Sequence, residues 1–455
     1  MNIHILGIGG TFMAGIARLA QQLGHKVSGS DKTKIYPPMS GQIERLEIPI
    51  SFGYSKNSIP ENSDLIIVGN SLSRGQPVVE MLLNENINFT SGPAWLAEHV
   101  LRDRKRIVVS GTHGKTTVSS LITWMLEKNG HRPGFLIGGI PGNFPYSAEL
   151  GKGDFFVIEG DEYDSAFFDK RSKFIHYRPD ILVINNLEFD HADIFDNLSQ
   201  ITTQFHHMIR TMSSNAKIVR PHISRSIDKL MEKGCWSSVK NFGRRSNANL
   251  QYSLSDSSDR SITFFINEKK VKSAQIGLGE HNADNLAAAI LACECAGVPA
   301  QKAIKGIENF CNAKRRMEFK GEIGGVSIYD DFAHHPTAIR ASVNALKKAI
   351  GKNRRLIAII EPRSNSMRMG LHKSKLNYAI RNADSVGFYC ENELSWSIEK
   401  SIDRKKLIGE WNNASEIAKF LTENSRNGDC ILVMSNGSAG SLHDLLLAEL
   451  KGKKK

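Results

Sequence analysis

The chain has 455 residues, too many for one compact core, and about two to four domains are expected. Its 23 % charged and 40 % hydrophobic residues exclude a disordered or collagen-like chain. Its apolar runs fall short of the ~18 residues a membrane span needs, so membrane insertion is not expected. No charged segment followed by an apolar one opens the sequence, so no signal peptide is read there. The six cysteines are scattered without a CxxC pair, which argues for reduced thiols and against a disulfide framework. A net charge of +12 does not by itself specify nucleic acid. Apart from Lys451, Lys453, Lys454 and Lys455, in a tail expected to fray, the basic residues are dispersed. Neither zinc-finger spacing nor an RNP-like aromatic strand is present, and a positive field equally suits a small polyanion carrying phosphates and carboxylates.

Strand-like apolar runs alternate with helix-period segments, the pattern of an α/β fold with largely parallel sheets. Residues 1–6 form the first strand, which ends in Gly7-Ile8-Gly9-Gly10. Met13, Ile16, Ala17, Ala20 and Leu23 give the following helix one apolar face, and Gly24 stops it. Residues 26–30 form a strand ending at Asp31; residues 64–68 form another, before the turn Gly69-Asn70-Ser71. The first domain is placed at residues 1–103. A GxGxxG reading of its opening turn fails at the third glycine, where Phe12 stands, although Asp31 lies about where a ribose-binding acid would. A nicotinamide-dependent dehydrogenase is thus a rival reading from another enzyme class. It leaves the next motif unexplained.

The second domain, residues 104–314, is entered through a basic linker at 102–106 and a strand at 107–110. There follows the turn Gly111-Thr112-His113-Gly114-Lys115-Thr116-Thr117, then a helix with Val118, Leu121, Ile122, Met125 and Leu126 on one face. Strand, glycine-rich turn and helix are what a phosphate loop requires. Backbone N–H groups at the helix start hold phosphates, Lys115 reaches the outer ones, and a hydroxyl binds Mg²⁺. The spacing is not the strict GxxxxGK[ST], because Val109 replaces the first glycine.

A strand at 155–158 ends at Glu159, with Asp161, Glu162 and Asp164 close behind. Four acids within six residues repel one another unless cations sit among them. Following a buried strand of the phosphate-loop domain, they read as a metal site, Glu159 first, against the plainer reading of a solvated acidic loop. The strand at 181–184 ends in Asn185-Asn186-Leu187-Glu188-Phe189-Asp190-His191, where His191 is a candidate metal ligand or base. The polar stretch 237–261 reads as a peripheral loop or hairpin. Residues 285–296 read as an Ala-rich helix in which Cys293 and Cys295 are buried thiols.

The third domain, residues 315–455, has strands at 326–329, 355–360 and 430–434, the last running into Ser435-Asn436-Gly437-Ser438. Arg363 follows the second of these, placed either to clamp a carboxylate bidentately or to form a surface salt bridge.

Taken in order, these strings resemble the Mur ligase superfamily over the whole chain. They are residues 111–117, Glu159-Gly160-Asp161-Glu162, residues 186–191, Gly279-Glu280-His281-Asn282-Ala283-Asp284-Asn285, Arg315-Arg316, and Tyr329-Asp330-Asp331-Phe332-Ala333-His334-His335-Pro336. The glycine-rich opening and Ser28-Gly29-Ser30-Asp31 resemble the branch that uses UDP-N-acetylmuramate. Tyr36-Pro37-Pro38-Met39-Ser40, Pro141-Gly142-Asn143-Phe144, residues 166–174 and residues 361–367 resemble its members that attach a recycled murein tripeptide. The resemblance implies an N-terminal Rossmann-like UDP-binding domain, a central P-loop ATPase domain and a C-terminal Rossmann-like domain. It implies a cytoplasmic bacterial enzyme, monomer or weak homodimer, that uses ATP and Mg²⁺ and no nucleic acid. UDP-N-acetylmuramate would be joined to L-alanyl-γ-D-glutamyl-meso-diaminopimelate through an acyl phosphate; the alternative is addition of L-alanine. An NTPase stimulated by nucleic acid is a further rival, resting on charge alone.

Carried over by motif, Gly111, Thr112, His113, Gly114, Lys115, Thr116 and Thr117 would meet the ATP phosphates, with Thr116, Glu159 and His191 serving metal. Asn282 and Asn285 would meet adenine, Arg316 the outer phosphates and Asp331 the ribose. Lys115, His191 and Arg316 would carry the chemistry. Gly9, Gly10, Ser30, Asp31 and Ser71 are assigned to the UDP-sugar, and Arg363 and Asn365 to the peptide. One departure stands out: several superfamily members have a carbamylated lysine downstream of the motif histidine, and this chain has His206-His207 there.

Overall fold

The computed structural model describes all residues except 36, 38, 246, 256–260, 267–268, 276–280 and 454–455. Tyr36, Pro38, Gly279, Glu280, Lys454, Lys455 and part of the 237–261 stretch therefore lie outside the described residues. The described residues form three α/β domains whose sheets are mostly parallel.

The first sheet is built from β1 (Asn2–Leu6), β2 (Lys26–Asp31), β3 (Ile50–Phe52), β4 (Leu65–Val68) and β5 (Phe89–Ser91), in the order β3-β2-β1-β4-β5 and parallel throughout. β1 and β4 lie between neighbours; β4 is apolar and wholly buried, as a central parallel strand is expected to be, and β1 buries Ile3, Ile5 and Leu6 together with His4. The helix Thr11–Gln22 buries Met13, Ile16, Ala17 and Ala20 as its spacing predicts. Leu23 does not join that face: it caps the helix and is exposed.

The central sheet has ten strands in the order β17-β16-β15-β14-β13-β12-β6-β9-β7-β8. They are β6 (Lys105–Ser110), β7 (Gly134–Leu136), β8 (Ala148–Glu149), β9 (Phe155–Gly160), β12 (Ile181–Ile184), β13 (Lys217–Pro221), β14 (Ser238–Gly243), β15 (Leu250–Leu254), β16 (Ser261–Ile266) and β17 (Lys269–Gln275). A small hairpin, β10 (Asp164–Ala166) with β11 (Asp169–Ser172), stands apart from it. Two expectations are corrected here. Lys105 and Arg106 are not linker but strand, because Asp180 takes both the backbone N–H and the guanidinium of Arg106 at 2.8 Å. The polar stretch after Ser237 is not a loop but sheet: β14 pairs parallel with β13 and β15 with β14, and the expected hairpin pairing appears only at β15 with β16, towards the edge strand β17.

The hairpin tip carries Phe167 and Phe168. Their rings lie 6.2 and 5.1 Å from that of Phe89, and Phe167 packs on the apolar cluster of the first domain. Arg18 of the first domain donates to the carbonyl of Ala148 at 2.9 Å and stacks 3.5 Å from the centre of the Tyr146 ring.

The third sheet runs β18 (Glu318–Ile323), β19 (Val326–Asp331), β23 (Cys430–Met434), β20 (Leu356–Ile360), β21 (Ser385–Tyr389), β22 (Leu407–Trp411). Only β18 is antiparallel among them. The chain divides into two compact units. The first holds the first sheet and the central sheet with residues 284–313; the second holds the third domain together with Asp190–Asp196 and Ile276–Ala283. No helix among the described residues is long and apolar enough to cross a membrane.

Candidate active site

In the first unit, β6 pairs with β9 on one side and β12 on the other, so the turns after all three strands come together. The phosphate loop leaves β6 and enters the helix Lys115–Lys128, whose apolar face is buried. Gly114 caps that helix with φ +82° and offers no side-chain bond to it. The first N–H groups of a helix have no partner within it, so such an end is a ready anion site.

Asparagines fix the loop. Asn186 accepts from the His113 N–H at 2.7 Å and donates to its carbonyl at 2.9 Å. Asn185 donates to the same carbonyl at 3.0 Å and to Asn285 Oδ1 at 2.9 Å. A Cβ at Gly114 would stand 2.5 Å from Asn285 Oδ1 and 2.6 Å from Asn185 Nδ2. One at Gly111, where φ is +134°, would stand 2.9 Å from the Asn186 carbonyl oxygen. Glycine is required at both positions by conformation and by space.

Lys115 is deep in this site. Its ammonium lies 2.9 Å from Glu162 and donates to the Gly111 carbonyl at 2.8 Å. Burial works against its charge, but the carboxylates of Glu162, Asp161 and Glu159 outweigh burial and hold the ammonium above its usual range. The acid run is neutralised largely by lysines: Lys173 reaches Asp161 at 2.7 Å and Lys170 reaches Asp164 at 2.6 Å. Glu159 differs. It accepts from the Thr116 hydroxyl at 3.1 Å and from the Gly138 N–H at 2.7 Å. A threonine hydroxyl beside a carboxylate is a hard-oxygen donor pair of the kind Mg²⁺ takes. An uncapped helix end, a buried lysine and such a pair fit a Mg²⁺-nucleotide. Thr112 accepts from the Glu188 N–H at 2.8 Å, His113 lies 3.8 Å from the Glu188 carboxylate, and Thr117 is buried in the first helical turn. Asn285 is itself buried and spends its carbonyl oxygen on Asn185. His206, of the His206-His207 pair singled out in the sequence, rests beside the ring of Trp236 at 6.2 Å.

The UDP-sugar candidates also lie in this unit. Asp31 accepts from the Gly9 N–H at 2.8 Å and from the Lys32 N–H at 2.7 Å. Gly10 caps the helix Thr11–Gln22, again with no side-chain bond. Ser30 is wholly buried, its hydroxyl 3.1 Å from His4, whose other ring nitrogen is 2.8 Å from Ser28. Burial lowers the His4 pKa to about 4. Ser71 is exposed at the end of β4 and bonds to Tyr54. The Tyr54 hydroxyl is pushed up to about 12 by burial and by the charge of Asp31.

The second unit holds the remaining candidates. His191 sits at φ +56°, with its N–H donating to Asp190 at 2.8 Å and its carbonyl accepting from Ile194 and Phe195. Asp190 is buried, accepts from Ser366 at 3.1 Å and lies 3.7 Å from His334. Burial would raise its pKa; the bond from His334 and the charges of His191, His334 and His335 outweigh that and keep it well below the usual range. Asp331 is buried and accepts from Met317 N–H, Ala333 N–H and the Ser342 hydroxyl at 2.7, 2.9 and 3.0 Å. Arg316 lies over the Phe332 ring at 4.9 Å, while its neighbour Arg315 is tied to Asp330 and to the Ser435 carbonyl. Asn282 is half-buried in the first turn of the helix His281–Cys295. Arg363 stands 3.4 Å from both Glu361 and Glu391, the salt-bridge arrangement that the sequence left open; Asn365 is exposed.

Family models match along the whole order: Mur ligase family, catalytic domain, over residues 2–104; Mur ligase middle domain over 109–293; Mur ligase, glutamate ligase domain over 315–437. The chain belongs to the Mur ligase family. This Mur ligase is 46 % identical over 455 residues to the UDP-N-acetylmuramate–L-alanyl-γ-D-glutamyl-meso-2,6-diaminoheptandioate ligase of Escherichia coli K12, covering 100 % of this chain and 99 % of the relative. A UDP-N-acetylmuramate–L-alanine ligase of Thermobifida fusca is 31 % identical, covering 86 % and 83 %. Among solved structures, a murein peptide ligase from Psychrobacter arcticus 273-4 superimposes with TM-score 0.78 at 40 % identity, covering 99 % of this chain and 98 % of that one.

Sequence reasoning quoted Asn185 and Asn186 but gave them no role, and it missed Glu162 as the partner of Lys115 and Tyr54 beside Ser71. The asparagines had a usable signal: two amides at the carboxyl end of a strand neighbouring the phosphate strand.

Proposed function

We propose that this ligase joins UDP-N-acetylmuramate to L-alanyl-γ-D-glutamyl-meso-diaminopimelate at the expense of ATP, in the reuse of murein peptides in the bacterial cytoplasm. The observation that carries the reading is the 46 % identity, end to end, with a ligase named for those two substrates. The L-alanine ligases are more distant. We assign the UDP-sugar to residues 1–103, ATP to 104–314 and the amine to 315–455.

In this reading the lactyl carboxylate attacks the γ-phosphate and expels ADP, and the peptide amine, losing a proton, then displaces inorganic phosphate from the acyl phosphate. Phosphoryl transfer of this kind is achieved mainly by positioning and charge neutralisation. Lys115, preorganised by Glu162 and Gly111, would turn to the outer phosphates, and Arg316 would add a second cation. Thr116 and Glu159 would hold Mg²⁺, with His191 as a further ligand or as the base for the amine. Bound there, Mg²⁺ supplies positive charge to the phosphate oxygens. The asparagine clamp on residues 111–117 keeps the loop from reorganising as charge develops.

Incubation with ATP, Mg²⁺ and UDP-N-acetylmuramate, comparing L-alanine with the tripeptide as amine, tests the reading. Product with the tripeptide is expected; product with L-alanine alone overturns the assignment.

A further inference from the structure

Lys173 is a buried cation to which the chemistry above gives no part beyond neutralising Asp161. It opens the short turn Lys173–His176 that follows the β10–β11 hairpin. The return of the hairpin lays it beside the acid run: its N–H donates to the Tyr163 carbonyl at 2.9 Å, and the hydroxyl of Ser172 donates to the Glu162 carbonyl at 2.6 Å. The side chain is only 8 % exposed, and its ammonium lies 2.7 Å from Asp161. The same ammonium sits 5.4 Å from the centre of the Phe12 ring. Phe12 belongs to the first turn of the helix Thr11–Gln22, whose start is assigned to the UDP-sugar. Asp161 belongs to the acid run whose charges act on Lys115. Lys173 thus stands against both places at once, within the first unit. An ammonium carries three N–H donors, and among the described residues Asp161 is its one hydrogen-bonded partner. A cation so enclosed, with donors unspent, is set up to take a second anion.

We propose that Lys173 binds the lactyl carboxylate of the UDP-sugar, the group that ATP phosphorylates. The inference rests on the proposed function, in which the sugar lies at residues 1–103 and the phosphates at Lys115. A carboxylate that must approach a γ-phosphate is repelled by it, and a fixed cation beside the carboxylate offsets that repulsion. Lys115 is directed to the phosphates and leaves this task open. Lys173 is held for it by the hairpin, with the Phe12 ring on its sugar side. Mere neutralisation of Asp161 would need neither the ring nor the spare donors.

Calorimetry compares UDP-N-acetylmuramate with UDP-N-acetylglucosamine, the same molecule without its lactyl group, and with UDP, on the wild type, Lys173→Met and Asp161→Asn. Lys173→Met should weaken UDP-N-acetylmuramate by about 10- to 100-fold, the loss of one charge-assisted contact, and leave the other two nucleotides nearly unchanged. In turnover its KM for UDP-N-acetylmuramate should rise while the KM for ATP stays. Asp161→Asn releases the ammonium from its carboxylate, so affinity for UDP-N-acetylmuramate should hold or increase. Equal losses of Lys173→Met on all three nucleotides would place the contact at the diphosphate and overturn the proposal. So would the absence of any loss, or losses of the same size in the two variants, which a purely structural ion pair produces. Should Lys173→Met fail to fold, Asp161→Asn decides alone, a weakened UDP-N-acetylmuramate counting against the proposal. A wild type that binds no UDP-N-acetylmuramate overturns the ligase reading itself, and the role of Lys173 with it.

Discussion

Glu162→Gln removes the carboxylate that faces Lys115 while keeping its size. The pair is almost closed to water, the side chains being 4 % and 14 % exposed, with the ammonium and carboxylate 2.9 Å apart. Breaking a pair this buried from one side typically costs about 3–5 kcal/mol, since the remaining charge stays where water cannot reach it. Asp161 and Glu159 still act on Lys115, and Gly111 still accepts from it, which puts the expectation at the lower end, about 3 kcal/mol. If Lys115 meets the ATP phosphates, nucleotide should supply the missing anion. The variant should therefore lose most stability without ATP and recover a large part of it with saturating Mg²⁺-ATP. Urea unfolding followed by amide exchange in β9 and the helix Lys115–Lys128, with and without nucleotide, measures both quantities. A loss of the same size in the two conditions would refute the reasoning, because Lys115 would then not change partners.

Gly114→Ala should abolish detectable ATP binding in calorimetry: its Cβ would collide with Asn285 and Asn185, and a left-handed alanine costs about 1–2 kcal/mol before any clash is counted. His4 is neutral in the fold, with a pKa of about 4 against 6.5 when exposed. Its contribution to stability is complete above pH 6.5 and is lost progressively as pH falls towards 4, about 3 kcal/mol in all. Amide exchange in β1 should accelerate over that window, and a His4→Asn variant should show a flatter profile; equal slopes would remove His4 as the cause. His191→Ala should depress turnover and reshape its pH profile, whereas unchanged turnover across pH would exclude His191 as the base.

The phosphate loop and the α/β alternation were legible because they are local: a strand, a glycine turn and an apolar helical face lie within some twenty residues. Partnerships between distant residues were not. Nothing near Arg106 announces Asp180, so a strand end passed for a basic linker. The stretch from Ser238 read as a loop or hairpin because few of its side chains reach the core: Phe242 and Leu250 are buried there while Ser238 and Val239 are exposed. The acid run was recognised as needing cations, but not which: Lys170 and Lys173 follow close behind it, while Lys115 comes from the distant phosphate loop. Leu23 continued the helical period in sequence, yet the helix had already ended at Gln22.

The Phe167–Phe168 tip has a consequence for how such enzymes can be taken apart. In sequence the N-terminal module looks like a detachable block of about a hundred residues, the size of an ordinary domain. In three dimensions part of its apolar seal is delivered by a hairpin encoded some sixty positions later, alongside Arg18's hold on Ala148. A chimera cut at residue 103 would inherit Phe89 without the two rings that cover it. Exchanging this block between relatives therefore means moving the hairpin along with it; the unit of exchange is larger than the unit of sequence similarity.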